Sequence, residues 1–491
     1  MVTIHSSTHT LKTIQQIIEA NGDLSNYVEL FPLDKKREVL ELDLFVIDNE
    51  IVWPVEWLNR HIPIYVPVVP FSEDNLLCLI LLKMGHYPMA ESYAINEVLN
   101  NHVTLLKSLS EGLPMLDMQY NSLHAYNKAL YNQYNPYGNY QLVESTLIDA
   151  EEEFIKADWK IMARKHLAVL KADKGNDLEA IKINLDTLSK WSLSDESKAS
   201  IALDLTGFLA NYSLTCQEDD LIRDTKDCVD FGISFFKEHK FELEEAMMQI
   251  DLGQIKGARF NFQASLSLFD SGIYQLNSLE QPDLMYSAIY RKAKVLHHWS
   301  QNGNPQFYKL ALEAYNKSLK FYTQSDFPEV FFEIHSQLAM IYAEIPSDGN
   351  QNAIWAAFSA TSFKEALDFY AQSGDLDKYA TVANNYANAL INFPEAKNSD
   401  NIEKAIHYFN EALEIRTAKT YPQQRAFLIL NYLEACWLAN NINNHMERVR
   451  LEDMMSKVKE VKSLTDNKEA IQRSEEHLAH LIELKKMLLT A

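Results

Sequence analysis

The chain has 491 residues, 47% of them hydrophobic, and carries 68 Asp and Glu against 45 Lys and Arg, a formal net charge of −23. So acidic a surface disfavours nucleic acid as the primary ligand, because phosphate contact needs a basic stripe. Only 13 glycines and 14 prolines in this length leave little room for a loop-rich β protein, and the hydrophobic content marks a folded chain. Taken as one globule, the length suggests about three domains; an array of repeats grows by adding units and removes that inference.

The first residues, Met1 to Ser7, lack a basic segment followed by an apolar core, so no secretory signal is expected. The longest apolar run, Leu76–Leu82, is too short to span a bilayer. Cys78, Cys216, Cys228 and Cys436 form no CxxC pair. Reduced, buried thiols in a cytoplasmic protein are the expectation.

In chain order, residues 10–21 predict a short amphipathic helix, with Leu11, Ile14, Ile17 and Ile18 on one face and Gly22 ending it. From Val39 to Phe71 the pattern changes: Leu40, Leu42, Leu44 and Val46 alternate with other residues, and Asp48-Asn49-Glu50 marks a turn. The prolines of Ile62–Pro70 demand extended chain. A small β-hairpin, an irregular cap, and an amphipathic helix through Val39, Leu42 and Phe45 all fit this stretch. Leucine-rich helices follow from about Asn75 to Ser110, whereas Tyr126–Tyr140, rich in Tyr and Asn with Pro136 and Gly138, reads as a loop or broken helix joint. Helices are then expected at Thr146–Ala172, Asp177–Trp191, Asp195–Tyr212, Asp219–His239, Glu242–Leu266, Ser267–Leu279, Pro282–Trp299 and Pro305–Thr323. Near the end, residues 445–464 and 467–489 are polar on one side, and the second carries Leu478, Leu481, Leu484 and Leu488 as an apolar stripe suited to closing an array.

Between these lies an internal repeat. Asn384–Leu390 corresponds to Asn431–Trp437, 47 residues later, and Gln337–Tyr342 precedes Asn385–Leu390 by 48. Glu365-Ala366-Leu367 matches Glu411-Ala412-Leu413, with Lys317-Ser318-Leu319 a looser copy. Small residues, Ala339 and Ala387, recur where two helices would touch, with large apolar residues around them.

From Asn401 through Arg425, and again at Gly85-His86-Tyr87-Pro88-Met89-Ala90, the chain resembles tetratricopeptide (TPR) repeats. It is similar in particular to the long-period type, about fifty residues, found beside caspase-like CHAT protease domains in bacteria. The close resemblance covers Gln337 to Trp437; Glu434 departs from it, standing where a small residue is expected. It implies an all-α fold, a right-handed α-α superhelix (TPR-like solenoid) with a small irregular or β-containing N-terminal cap. Residues 1–74 would form that cap, 75–444 the array and 445–491 the capping helices.

No Walker A, GxGxxG, HExxH or GxSxG sequence is present. The CHAT resemblance makes a caspase-like dyad the sharpest chemistry to weigh, at Glu434-Ala435-Cys436. Cys436 lies inside a repeat helix, no His-Gly pair exists, and a buried structural thiol is the expectation. His477 and His480, three apart beside Glu475 and Glu476, have a spacing that suits a metal on one helix face; without a third ligand they read as a solvated face. His297-His298 reads as one packed and one exposed ring, and Asp149–Glu153 as a solvated acidic face. No catalytic residue, metal or cofactor is expected.

Binding is what remains. In a TPR stack the first helix of each unit lines the concave face, which places Asn384 and Asn388 on an inward stripe with Asn431 in the next unit, Ser336 and Met340 in the previous one, and Tyr290 and Lys294 before that. Arg291 and Arg425 would lie nearby. Asparagine amides there suit an extended peptide backbone or a carboxylate. The expected role is a non-enzymatic scaffold or regulator that binds a protein or peptide, a protease or other effector among the candidates, by analogy in a bacterial regulatory or antiviral defence system. A peptide-sensing regulator, or an enzyme with a cryptic active site, are the alternatives. No membrane contact is expected.

Overall fold

The computed structural model describes residues 2–35, 43–52, 57, 68–111, 122–133, 139–154, 157–214, 220–346, 350–394, 400–439 and 444–490. They fold as an all-α repeat protein with a small N-terminal sheet, and the chain divides into two compact units, Met1–Ile255 and Lys256–Ala491.

The first unit opens with β1 (Val2–Ser6), α1 (Thr8–Ala20), a 3₁₀ turn (Gly22–Asn26), β2 (Val28–Pro32), β3 (Asp43–Ile47), β4 (Glu50–Val52) and β5 (Val69–Pro70). The strand order is β2-β1-β3-β4-β5; β1 runs parallel to β2 and β3, and β3-β4 and β4-β5 are antiparallel. α1 is the crossover that a parallel β1-β2 pair requires; Ser7 caps it by accepting from the Thr10 amide. The hairpin alternative is therefore the correct one over 43–52, with Asp48 and Asn49 both at positive φ (50° and 64°) in its two-residue turn. Strands β1 and β2 were not anticipated. The proline-rich extended stretch lies largely outside the described residues, Val69–Pro70 excepted.

Strand alternation divides the sheet into two faces. Val2, Ile4, Leu44, Val46 and Ile51 share a core with Ile14 and Ile18 of α1 and with the leucines of α2 (Glu73–Lys83). The other face holds Thr3, His5 and Asp43, all buried. His5 Nε2 lies 2.9 Å from Asp43 Oδ2, and its ring stacks on Phe45 at 4.5 Å. A buried carboxylate needs such a partner.

The helices continue with α3 (Tyr87–Tyr93), α4 (Glu97–Ser110), α5 (Ser122–Gln133), α6 (Tyr140–Glu153), α7 (Ala157–Asp173), α8 (Asp177–Lys190), α9 (Asp195–Tyr212), α10 (Asp220–Glu238) and α11 (Glu242–Ala258). In the second unit follow α12 (Phe262–Ser278), α13 (Pro282–Gln301), α14 (Phe307–Ser318), α15 (Pro328–Glu344), α16 (Asn350–Ser373), α17 (Leu376–Asn392), α18 (Asn401–Ile415), α19 (Pro422–Leu438), α20 (Asn444–Leu464) and α21 (Lys468–Thr490). Within each unit successive helices pack on one another, and alternate helices also touch: α5 on α7 and α7 on α9, then α15 on α17, α17 on α19 and α19 on α21. Leu481 of α21 is fully buried, with Leu478, Leu484 and Leu488 packed on the same core. No helix among the described residues is long and apolar enough to cross a membrane.

Several helix joints use one device. The amides of His86, Asn176, Phe241, Asn261 and Gln281 each donate to the carbonyl five residues back, at Leu81, Lys171, Phe236, Lys256 and Leu276. The residue before each amide is left-handed, as a Schellman cap requires. Gly85 and Gly175 fill that place twice, but Lys240, Phe260 and Glu280 fill it three times, at φ 53° to 60°. This corrects the expected helices Glu242–Leu266 and Ser267–Leu279: the break falls at Arg259–Asn261, where no glycine or proline announces it. The expected Thr146–Ala172 helix is likewise two, parted at the extended Phe154. Tyr126–Gln133, expected in a loop, is helical because Tyr126, Ala129 and Leu130 bury one stripe against the α6–α7 core.

Gly232 of α10 lets α9 approach closely: a Cβ there would lie 2.6 Å from that of Ala202. Gly232→Ala is expected to cost about 1–3 kcal/mol by overpacking, and adding Ala202→Gly should recover much of it, read as non-additive thermal midpoints. His166 of α7 is buried beside Tyr126, and neither ring nitrogen has a hydrogen-bond partner among the described residues. Burial, helped by Lys165, holds its pKa well below 6.5. The unfolded chain then binds the proton more tightly, so stability is complete above about pH 6.5 and falls below it by up to about 1.4 kcal/mol per pH unit. Urea titrations between pH 5 and 7.5 should show that slope, and His166→Phe should flatten it.

Candidate interaction face

In the second unit α13, α15, α17, α19 and α21 lie side by side as one layer, tied by side chains from helix to helix. Pro282, Pro328 and Pro422 open α13, α15 and α19, a position where the missing amide costs nothing. Asp375 caps α17 by accepting from the Lys378 amide.

The expected residues fall into three groups. Tyr290 and Lys294 of α13 converge on Glu333 of α15: the Tyr290 hydroxyl donates to its carboxylate, Lys294 Nζ lies 2.8 Å from Oε1, and the ammonium also sits 4.3 Å from the Tyr290 ring centroid. Burial opposes ionisation of Glu333, but Lys294 and the tyrosine hydrogen bond hold its pKa below the ordinary value. Burial and the Glu333 charge push the Tyr290 phenol far up, so it stays a donor. Arg291 is half-buried on the same helix.

Asn384 and Asn431 form the second group. Asn431 Nδ2 donates to Asn384 Oδ1 at 3.1 Å, joining α19 to α17. Asn384 Nδ2 donates to Asn385 Oδ1 at 3.3 Å, and Asn385 Nδ2 to the Met340 sulfur at 3.4 Å, reaching α15. Asn388 is half-buried one turn further along α17. On α19 the exposed Phe427 and Leu438 flank Asn431 at positions −4 and +7.

Arg425 stands apart. Its guanidinium donates to the carbonyls of Leu413 and Arg416 at the end of α18 and to Glu460 of α20 at 2.8 Å. It closes a helix C-terminus, where a cation is favourable.

The acidic partners Glu333 and Glu460 were not singled out from the sequence; acids 35 to 43 residues away carry no local signal. A further one is Glu344, at the end of α15. It accepts from His297 Nε2 (2.9 Å), from Gln301 Nε2 (2.9 and 3.0 Å) and from the Tyr308 hydroxyl (3.3 Å). His297 is thus the packed ring of its pair, and His298 lies half-buried against Phe260 and Phe262.

Chemistry is limited by this burial. Burial pushes the Cys78 thiol up to about 12 and those of Cys228 and Cys436 to about 11, away from the thiolate a nucleophile needs. Cys216 lies outside the described residues. His477 Nδ1 accepts from Trp437 Nε1 at 3.0 Å, which puts its proton on Nε2 and leaves neither nitrogen to a metal. Glu434, in the place of a small residue, binds Arg473 at the surface, while its neighbour Ala435 makes the buried contact.

No family model matches the chain, and no curated protein matches it. Among solved structures, one match is described as "Circular tandem repeat protein with novel repeat topology and enhanced subunit contact surfaces", at 10% identity and TM-score 0.21, covering 85% of this chain and 98% of that one.

Burial works against the Glu344 carboxylate, but the donors from His297, Gln301 and Tyr308 depress its pKa below 4.5. A depressed carboxylate contributes stability that is present above about pH 4.5 and lost as pH falls through its folded value. Glu344→Gln should therefore cost about 1–3 kcal/mol at pH 7, and the gap between the two proteins should narrow below pH 4.5 in chemical denaturation.

Proposed function

We propose that the protein is a non-enzymatic interaction scaffold of TPR type, with residues 1–74 as its N-terminal cap, 75–444 as the array and 445–491 as the closing helices. A protein or peptide segment binds along the layer formed by α13, α15, α17 and α19. The observation that carries this is the strip on α17 and α19: Asn384, Asn388 and Asn431 stand half-buried, and the exposed side chains of Phe427 and Leu438 flank Asn431 along α19. Uncharged amides flanked by apolar anchors suit an extended chain, whose backbone needs hydrogen bonds and whose side chains need pockets. Tyr290, Arg291 and Lys294 extend the surface on α13, and Arg425 supports it from the first turn of α19, where it holds the end of α18. Its kinship to the repeats beside CHAT proteases, and with it a regulatory or defence setting whose enzyme is a separate protein, belongs to this proposal.

Affinity purification from the native host, comparing wild type with Asn384→Ala/Asn388→Ala, tests it. A stoichiometric partner should copurify with wild type and be lost from the double variant, while the thermal midpoint stays close to that of wild type. A partner retained by a folded double variant would move the binding surface elsewhere.

A further inference from the structure

The C-terminal end of α6 is electrostatically uncompensated. Asp149 and Glu152 are exposed there, the last turn holds no basic residue, and a helix carries partial negative charge at that end. Their neighbours Glu144 and Glu151 are neutralised by Lys171 and Arg164 of α7. Asp149 and Glu152 have no ion-pair partner among the described residues; Lys160 donates to the Glu152 main-chain oxygen, at 3.4 Å. Seven residues before Asp149 and ten before Glu152 stands Leu142, 48% exposed. The outer face of α14 carries the opposite charge in the same pattern. Leu310 is 45% exposed. Lys317 follows seven residues later in the last turn, and Lys320 ten residues later in the turn that closes the helix. Both lysines are exposed and have no ion-pair partner among the described residues, whereas Lys292 and Lys294 of α13 pair with Asp270 and Glu333.

We propose that these two faces meet between copies of the chain. α6 of one copy lies parallel to α14 of a second, with Leu142 against Leu310, Asp149 against Lys317 and Glu152 against Lys320. At 1.5 Å per residue the two ion pairs fall about 10 and 15 Å from the aliphatic contact along both helices, so one alignment satisfies all three. In that alignment Ser145 stands opposite Glu313 and Ile148 opposite Asn316, so no like charges meet. Charge selects a second copy as the occupant. At a formal net charge of −23 two copies repel in general, and they associate where the sign reverses locally; α14 is such a place, and α6 offers the acids it lacks. The contact is heterologous, since the two halves differ. It uses none of α13, α15, α17 and α19, so it is independent of the proposed partner-binding layer.

Sedimentation of the full-length chain over a range of concentrations tests this without any partner. At about 0.1 M salt, where a Debye length of about 10 Å confines the interaction to neighbouring charges, the mass should rise above that of one chain as concentration increases. About 0.5 M salt, or either charge reversal, Asp149→Lys/Glu152→Lys or Lys317→Glu/Lys320→Glu, should weaken association about tenfold. All four side chains are exposed, so both variants should keep the wild-type thermal midpoint. Mixed in equal amounts, the two variants should associate again, because the lysines now on α6 of one meet the glutamates on α14 of the other. A wild-type mass of one chain at every concentration overturns the contact, and so does association that neither reversal weakens. Variants that lose association and do not regain it on mixing overturn the pairing of these two faces, and leave the α14 lysines to an occupant other than a second copy.

Discussion

Everything in this protein depends on helices approaching one another closely enough to share a core that no pair of them could build alone. The means is small residues at the contacts. Ala383 and Ala387 of α17, Ala405 and Ala412 of α18, and Ala426 and Ala435 of α19 are all fully buried, with Phe409, Leu430 and Leu433 filling the spaces beside them. In the first unit Gly232 and Ala202 do the same between α10 and α9. Dispersion contacts fall off over fractions of an ångström, so one added methyl at such a place is felt across the pair.

Close approach leaves long polar side chains at the seams, and these have been put to use. Carboxylates Glu333, Glu411 and Asp453 each accept from a tyrosine hydroxyl on another helix, Tyr290, Tyr379 and Tyr432. At the first and last a lysine, Lys294 or Lys457, also pairs with the acid while lying over the tyrosine ring. A half-buried acid is costly without such company and directional with it. The staples hold neighbouring helices in register, which is what a surface shared between several helices needs. The amide chain from Met340 to Asn431 is the uncharged version of the same arrangement.

Much was legible in advance, for local reasons. Helical periodicity, proline at helix starts, and the 47–48-residue recurrence of an aromatic–small pattern are properties of neighbouring residues, so the all-α repeat class and most helices could be read directly. Asn384 and Asn388 emerged together because they are one turn apart, and Asn431, Tyr290 and Lys294 joined them because the repeat relates their positions. Failures came where the signal was not local. Phe260 takes a left-handed conformation that its side chain does not advertise, and β1, VTIHS, is a strand because β2 and β3 pair with it on either side.

By itself, then, the amino-acid order determined periodicity: which stretches are helices, where prolines and glycines interrupt them, and which positions repeat. Only the tertiary structure decided what those positions touch. Whether an asparagine faces a peptide or a neighbouring helix, whether Arg425 is available to a ligand or spent on the carbonyls of Leu413 and Arg416, and which way an amide points depend on partners about 10 to 50 residues away. Hydrogen bonds are directional and short in range, so their pairing is settled when the helices pack, and a pattern of residue types along the chain does not contain it.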